Sequence, residues 1–199
     1  MNKRALRIWL GIIAIVVLVP SLLYAALHQP FPADTTPQGA YMRVARSVGE
    51  GDPRGFFAYL ETEAQWACFT IHDMRAKASK RVAESYPEPQ RSEMLAQYKD
   101  MADAADGSYV FALLYRDRGW ARRLRRDMSG IVKVDTEGDR ASVVTAQGTR
   151  YPFRRRDNGI WGLTIFTAEL LADAEKATRD LAVVTAAAAD YDRLRGTKK

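Results

Sequence analysis

The sequence predicts an α+β domain that follows an N-terminal transmembrane helix. Residues 8–27 carry no charge and are almost entirely apolar, residues 37–128 place apolar side chains at spacings of three and four, and residues 131–166 form short apolar runs between polar turns. The chain has 199 residues, of which 47% are hydrophobic and 27% charged. That composition supports one packed domain plus an attachment and argues against global disorder.

The segment 8–27 is long enough to span a bilayer. As a helix, its 20 residues would cover about 30 Å, the thickness of the hydrocarbon core. Three cations lie in residues 1–7 and none follows until Arg43, so the positive-inside rule places the N-terminus in the cytoplasm. We expect a single-pass protein of the inner (cytoplasmic) membrane with its domain in the periplasm. A cleaved signal peptide or a buried soluble helix are the alternatives.

Residues 28–36 are predicted to be a linker, after which helices begin. Thr36 before Pro37, and Asp52 before Pro53, are N-terminal signals for two helices. The second helix is predicted to be long, with one apolar face made of Phe57, Leu60, Ala64, Ala67, Cys68 and Ile71. A third helix should carry Met94, Tyr98 and Met101.

Residues 109–128 keep helical spacing, and we predict a single helix there that continues through Gly119. Four strands should follow, at 131–134, 141–145, 150–154 and 160–166, because polar turns of two to four residues separate them. This pattern is typical of an antiparallel meander. A long helix is then predicted over residues 167–195, capped by Thr167, before a polar tail at 196–199.

Three phrases of the chain, VARSVGEGDPRGFFAYL, VDTEGDRASVV and RYPFRRRDNGIWGLTIF, together resemble the NTF2-like superfamily in its small, membrane-anchored or secreted bacterial form. The resemblance covers residues 37–166. It implies a cone in which helices pack on a curved antiparallel sheet and leave an apolar mouth. The long helix after Phe166 departs from the pattern, and no catalytic residue of the superfamily matches a position here.

The chemistry in the sequence is sparse. One cysteine excludes an intrachain disulfide, and two histidines argue against a metal centre, so no metal or cofactor is expected. His72, four residues after Cys68, and Asp117, on a predicted apolar helix face, are the candidates for a pocket enzyme of isomerase, cyclase or hydrolase type. A core cysteine and an ion-paired aspartate are the structural alternatives. Four aromatic residues could line a pocket or fill the core: Trp66, Trp120, Phe153 and Trp161.

Arginine is the other conspicuous feature, since six of the eleven residues in 116–126 are arginines and three more follow at 154–156. The formal net charge is +6. Arginine forks suit phosphate and carboxylate groups, so an anionic lipid, an anionic glycan or an acidic partner could bind. Nucleic acid is not expected outside the cytoplasm. The predicted contacts are Arg118, Arg122, Arg123, Arg125, Arg126, Arg154, Arg155 and Arg156.

The missing catalytic set and the predicted anchor favour a binding or assembly module over an enzyme. Such a module would hold a ligand, form a homo-oligomer or contact another protein of the cell envelope. The alternative is that the arginines form a solvent-exposed face whose charge nearby acids balance, in which case the two clusters have no binding function.

Overall fold

A computed structural model describes residues 31–196 of the chain. By its internal contacts the chain divides into two units, Met1–Pro32 and Ala33–Lys199, and the description below concerns the second. The predicted cytoplasmic tail at 1–7 and transmembrane helix at 8–27 lie outside the described residues. Within 31–196, no helix is both long enough and apolar enough to cross a membrane.

The chain forms an α+β domain of helices, an antiparallel sheet and a long final helix, as predicted. The elements in order are α1 (Pro37–Glu50), α2 (Pro53–Phe57), α3 (Thr62–Ser85), α4 (Gln90–Ala102), α5 (Gly107–Asp117), α6 (Trp120–Asp127), β1 (Ile131–Glu137), β2 (Arg140–Thr145), β3 (Arg150–Arg155), β4 (Trp161–Leu163) and α7 (Thr167–Gly196).

The four strands form a meander in the order β1-β2-β3-β4, with each strand antiparallel to its neighbours. Val143 of β2 pairs with Val134 on one side and with Tyr151 on the other. Side chains alternate along β2 and β3, so that Val143, Tyr151 and Phe153 are buried on one face of the sheet. β4 ends at Leu163, earlier than predicted, because the Thr167 amide already bonds the Thr164 carbonyl at the start of α7.

The predicted single helix after Asp52 is wrong, since α2 and α3 are separated by a non-helical stretch at 58–61, which turns at 58–59 and then bridges β4 at Leu60. Leu60 forms a parallel bridge with Leu163 of β4. The Glu61 amide donates to the Leu163 carbonyl at 3.1 Å, and the Leu163 amide donates to the Tyr59 carbonyl at 2.7 Å. These bonds satisfy the outer edge of a three-residue strand, which a continuous helix would leave open.

The predicted helix through Gly119 is also wrong, because α5 and α6 are separate. Gly119 has a left-handed φ of 67° and its amide donates to the Arg116 carbonyl at 3.1 Å. Glycine adopts this conformation at no steric cost, so the chain turns there. The turn allows the Trp120 ring to stack on Phe166 with 4.2 Å between ring centres.

α3 and α7 pack side by side and run in the same direction. Thr167 at the start of α7 bonds Glu61 before α3, while Arg81 near the end of α3 pairs with Asp192 near the end of α7. α4 folds back on the far half of this pair. The three helices enclose a second core, apart from the one under the sheet, made of Ala78, Val82, Tyr86, Tyr98, Val184 and Ala188.

Two tyrosines of the sheet core differ in how their hydroxyl groups are satisfied. The Tyr41 hydroxyl donates to the Ser129 carbonyl at 2.8 Å and accepts from the Ser129 amide at 3.2 Å. The neighbouring Tyr151 hydroxyl is buried without a hydrogen-bond partner among the described residues, and burial raises the pKa of Tyr151 to about 12. A buried unsatisfied polar group destabilises the folded state.

We therefore expect Tyr151→Phe to raise the free energy of unfolding by about 1 kcal/mol, because it removes only the unsatisfied hydroxyl. Tyr41→Phe, the matched control, should lower it by about 1 kcal/mol, because it strands two backbone groups of Ser129. Urea denaturation followed by tryptophan fluorescence measures both. Equal destabilisation by the two substitutions would contradict this assignment.

Candidate functional site

Asp117 was predicted to lie on an apolar helix face, but in the structure its side chain does not face the core. The helix breaks two residues later, and its side chain lies at the exposed end of α5, 55% accessible and 2.9 Å from Arg116. An exposed carboxylate paired with its neighbour in the sequence has the ordinary surroundings of a surface acid. The arrangement that would make it a pocket acid is therefore not present.

Cys68 and His72 also lack the arrangement of a catalytic pair. Cys68 is fully buried in α3, and burial raises the pKa of its thiol to about 12, with the nearby Asp173 carboxylate adding to the effect. The thiol is therefore protonated at neutral pH and a poor nucleophile. The His72 Nε2 atom lies 2.8 Å from the Ala104 carbonyl oxygen, a contact that joins α3 to the loop after α4.

The structure does not bring the four predicted pocket aromatics together around a cavity. Trp120, Phe153 and Trp161 are buried in the main core, each no more than 4% exposed. Trp66 is 71% exposed on the outer surface of α3. Aromatic rings pack closely in this core, with Phe111 within 6 Å of the rings of Phe56 and Phe166.

The second arginine cluster serves mainly the fold. Arg154 lies 3.4 Å from the buried carboxylate of Glu61 and 3.3 Å from Asp139, and Glu61 also accepts from the Thr167 hydroxyl at 2.7 Å. Arg156 donates to the Ala58 carbonyl at 2.7 Å. These contacts join β3 to the stretch before α3, so Arg154 and Arg156 are structural rather than available to a ligand. Arg155 between them is exposed.

The first cluster divides into residues that pair and residues that line a hollow. Arg118 reaches across to α7 and lies 3.2 Å from Glu169. Arg126 pairs with its neighbour Asp127 at 2.7 Å, and Arg123 is exposed on the same helix. Arg122 and Arg125, also on α6, face a different space together with Arg116 of α5.

We call this space the basic hollow. It has a volume of about 390 Å³ and lies between the α1–α2 turn, α5 and α6. Its lining consists of Gly51, Pro53, Ala112, Tyr115, Arg116, Gly119, Ala121, Arg122 and Arg125. Among these described lining residues there are three cations and no carboxylate, so the hollow has a positive potential over a partly apolar floor.

Two left-handed glycines lie next to the guanidinium groups of α6. Gly51, with a φ of 74°, ends α1, and a Cβ atom there would lie 3.0 Å from an Nη atom of Arg125. Gly119 precedes α6, and a Cβ atom there would lie 3.6 Å from an Nη atom of Arg122. The Arg125 Nε–H donates to the Val48 carbonyl at 3.2 Å, at the helix end where a cation is favoured. Arg125 is thus held in place and not simply solvated.

Tyr115 is the tyrosine in the lining of the hollow. Its ring is packed in the core and burial raises the pKa of its hydroxyl, an effect that the charge of Arg125 opposes. The hydroxyl therefore stays protonated at neutral pH. The lining of the hollow therefore combines three arginines with a tyrosine.

The sequence predicted Arg122 and Arg125 as anion contacts. It did not predict that they would share one hollow with Arg116. Arg116 was not among the predicted contacts, and Gly51 and Tyr115 were not connected with the cluster. The usable signal was Gly51, directly after α1. A left-handed glycine at a helix end allows a side chain from elsewhere to approach closely.

Comparison with protein-family models, curated proteins and solved structures gave no match. The resemblance to the NTF2-like superfamily therefore stays a prediction from the sequence phrases.

Proposed function

We propose that this chain is a single-pass, membrane-anchored binding module whose domain lies in the periplasm and binds an anionic group in the basic hollow. The observation that carries the proposal is the lining of the hollow, where Arg116, Arg122 and Arg125 meet without a carboxylate among the described lining residues. Planar guanidinium forks bind phosphate and carboxylate groups through paired, charge-assisted hydrogen bonds.

The position where the folded unit begins supports the proposed membrane anchor. The unit begins at Ala33, six residues after the predicted transmembrane helix ends at Leu27. The Trp161 amide donates to the Asp34 carbonyl at 3.3 Å, and the Trp161 indole donates to the Thr35 carbonyl at 3.1 Å. Residues 34–36 are therefore part of the domain, and the linker that the sequence predicted over residues 28–36 shortens to 28–33.

The proposal is a binding function and not a catalytic one. The positions of Asp117 and His72, paired with Arg116 and placed against a backbone carbonyl respectively, do not favour the alternative of a pocket enzyme. An NTF2-like origin of the domain, and an envelope protein partner or homo-oligomer, remain part of the proposal on the strength of the sequence alone.

Native mass spectrometry of the full chain, extracted from its own membrane in a nonionic detergent, tests the proposal. The double variant Arg122→Gln, Arg125→Gln removes both α6 cations of the hollow. Arg126→Gln is the matched control, because Arg126 lies on the same helix but outside the hollow and pairs with Asp127.

The wild type and Arg126→Gln should retain an anionic species that the double variant lacks. Indistinguishable spectra for the three proteins would contradict the proposal, as would loss of the bound species in Arg126→Gln.

A further inference from the structure

We infer that the group bound in the basic hollow is a phosphate, carried by an organic molecule. This inference rests on the proposed function and narrows it, since arginines alone would also accept a carboxylate. It follows from the number of guanidinium groups, from how they are held and from the size and floor of the hollow.

Three guanidinium groups meet at one space from two helices. Arg122 and Arg125 lie three residues apart on α6, so they share a face of that helix, and Arg116 approaches from the end of α5. A carboxylate has two oxygens and one negative charge, which one arginine fork satisfies. A phosphate monoester carries about −1.5 to −2 charges at pH 7 and three acceptor oxygens. That charge matches the two α6 arginines, Arg122 and Arg125, which have no carboxylate partner among the described salt bridges, while the third, Arg116, is already paired with Asp117.

The Arg125 guanidinium has donors left for such a ligand. Its Nε–H is bonded to the Val48 carbonyl, which fixes the plane of the group while the four N–H bonds of its two Nη atoms remain. Pre-positioned donors lose less conformational freedom when the ligand binds. The Arg122 guanidinium lies against Gly119, so a second fork sits over a turn that has no side chain of its own.

The acids near the hollow leave Arg122 and Arg125 without a carboxylate partner among the described salt bridges, although Asp117 neutralises Arg116. Asp117 pairs with Arg116 from outside the lining, and Asp127 pairs with Arg126. Asp52, next to Gly51, accepts from the Arg54 amide at 3.1 Å and caps α2. Because these carboxylates hold other partners, Arg122 and Arg125 are the cations in the described structure that an incoming anion can neutralise in the hollow.

The size of the hollow indicates an organic phosphate. About 390 Å³ lies within the range of about 300–1,000 Å³ found for small-molecule sites. The floor between the arginines is apolar, formed by Pro53, Ala112 and Ala121 with the ring of Tyr115. The carbon skeleton of the ligand would cover this floor while its phosphate group meets the guanidinium groups.

The phosphate could belong to a soluble metabolite or to a lipid headgroup. The chain enters the domain at the N-terminal end of α1, and the hollow begins just past its C-terminal end. With 14 residues, α1 separates these two points by about 20 Å. The chemistry of recognition is the same in both cases, so the experiment has an arm for each source.

Isothermal titration calorimetry of the full chain in a nonionic detergent distinguishes phosphate from carboxylate. Phenyl phosphate and benzoate share a ring and differ in the anion. Phenyl phosphate should bind the wild type and Arg126→Gln equally, and Arg122→Gln or Arg125→Gln should each weaken it about tenfold or more, the loss expected for a charged hydrogen-bonding group. Benzoate should bind at least about tenfold more weakly than phenyl phosphate, because it fills fewer forks.

Each outcome has a separate meaning. Equal or tighter binding of benzoate would overturn the phosphate inference while leaving an anion site in place. Binding of neither probe, with circular dichroism unchanged among the variants, would overturn the proposed function as well. An equal loss in Arg126→Gln would show non-specific attraction and overturn both.

Lipid nanodiscs separate the two sources. The full chain is placed in discs of phosphatidylcholine alone or of phosphatidylcholine with phosphatidic acid, whose headgroup is a phosphate monoester. If phosphatidic acid weakens the binding of phenyl phosphate to the wild type but not to Arg122→Gln, the result supports the inference and assigns a lipid headgroup. Unchanged binding supports it and assigns a soluble ligand.

Discussion

Phe111→Ala is expected to lower the free energy of unfolding by about 3–5 kcal/mol, the range for truncating a large buried aromatic side chain. Phe111 is fully buried in α5. Its ring lies 5.2 Å from Phe56, 5.8 Å from Phe166 and 6.1 Å from Trp120, measured between ring centres. Phe56 lies in α2, Trp120 in α6 and Phe166 directly before α7, so the cavity left by alanine would open where these elements meet.

Urea denaturation of the full chain in a nonionic detergent, followed by tryptophan fluorescence, measures the loss. Phe69→Ala is the matched control, because the same atoms are removed from a side chain that is 47% exposed. The control should lose about 1 kcal/mol, in keeping with its smaller buried area. Similar losses for the two variants would contradict the placement of Phe111 at the centre of the core.

Gly162→Ala is expected to cost about 2–4 kcal/mol, which is large for the addition of one methyl group. A Cβ atom at this position would lie 2.7 Å from the Glu61 Cα atom and 2.8 Å from the Leu60 carbonyl oxygen. Both neighbours are backbone atoms that pair with β4, so neither can move without breaking the Glu61–Leu163 hydrogen bond.

Gly49→Ala is the control for this substitution. Gly49 lies in α1, and a Cβ atom there would meet nothing within 4 Å. Alanine is the better helix former, so the control should gain about 0.5–1 kcal/mol. In thermal unfolding monitored by circular dichroism, Gly162→Ala should lower the Tm relative to the wild type and Gly49→Ala should raise it. A neutral Gly162→Ala would mean that β4 does not pack against the stretch at 58–61.

The elements that the sequence predicted correctly depend on local chemistry. The strands were recognisable because polar turns with Gly138, Gly148 and Gly159 separate alternating runs, and these glycines have left-handed φ values that suit such turns. α1 was recognisable because Thr36 caps it, accepting from the Gly39 amide at 3.1 Å, and Gly51 ends it.

The two helix breaks could not be read from the sequence because their causes are distant in the chain. The stretch at 58–61 leaves the helix to pair with β4, about a hundred residues later. Apolar spacing alone gives no sign of that pairing. At Gly119, the spacing continues through the turn, and the packing of Trp120 against Phe166 decides the direction of the chain.

The same limit applies to the site. The sequence indicated that arginines were the distinctive chemistry of the chain, but nine of them compete for acids and carbonyls in the fold. Arg118 and Arg154 go to Glu169 and Glu61, while Arg122 and Arg125 do not have such a partner within the described salt bridges. Which arginines remain for a ligand depends on where α7 and the stretch before α3 place their acids.

The measurement that most directly tests the central claim is the native mass spectrum of the full chain and its arginine variants. We predict a bound anionic mass on the wild type and on Arg126→Gln, and its loss from the double variant Arg122→Gln, Arg125→Gln. The same bound mass on all three proteins would mean that the basic hollow is not the binding site, and its absence from all three would contradict an anion-binding module.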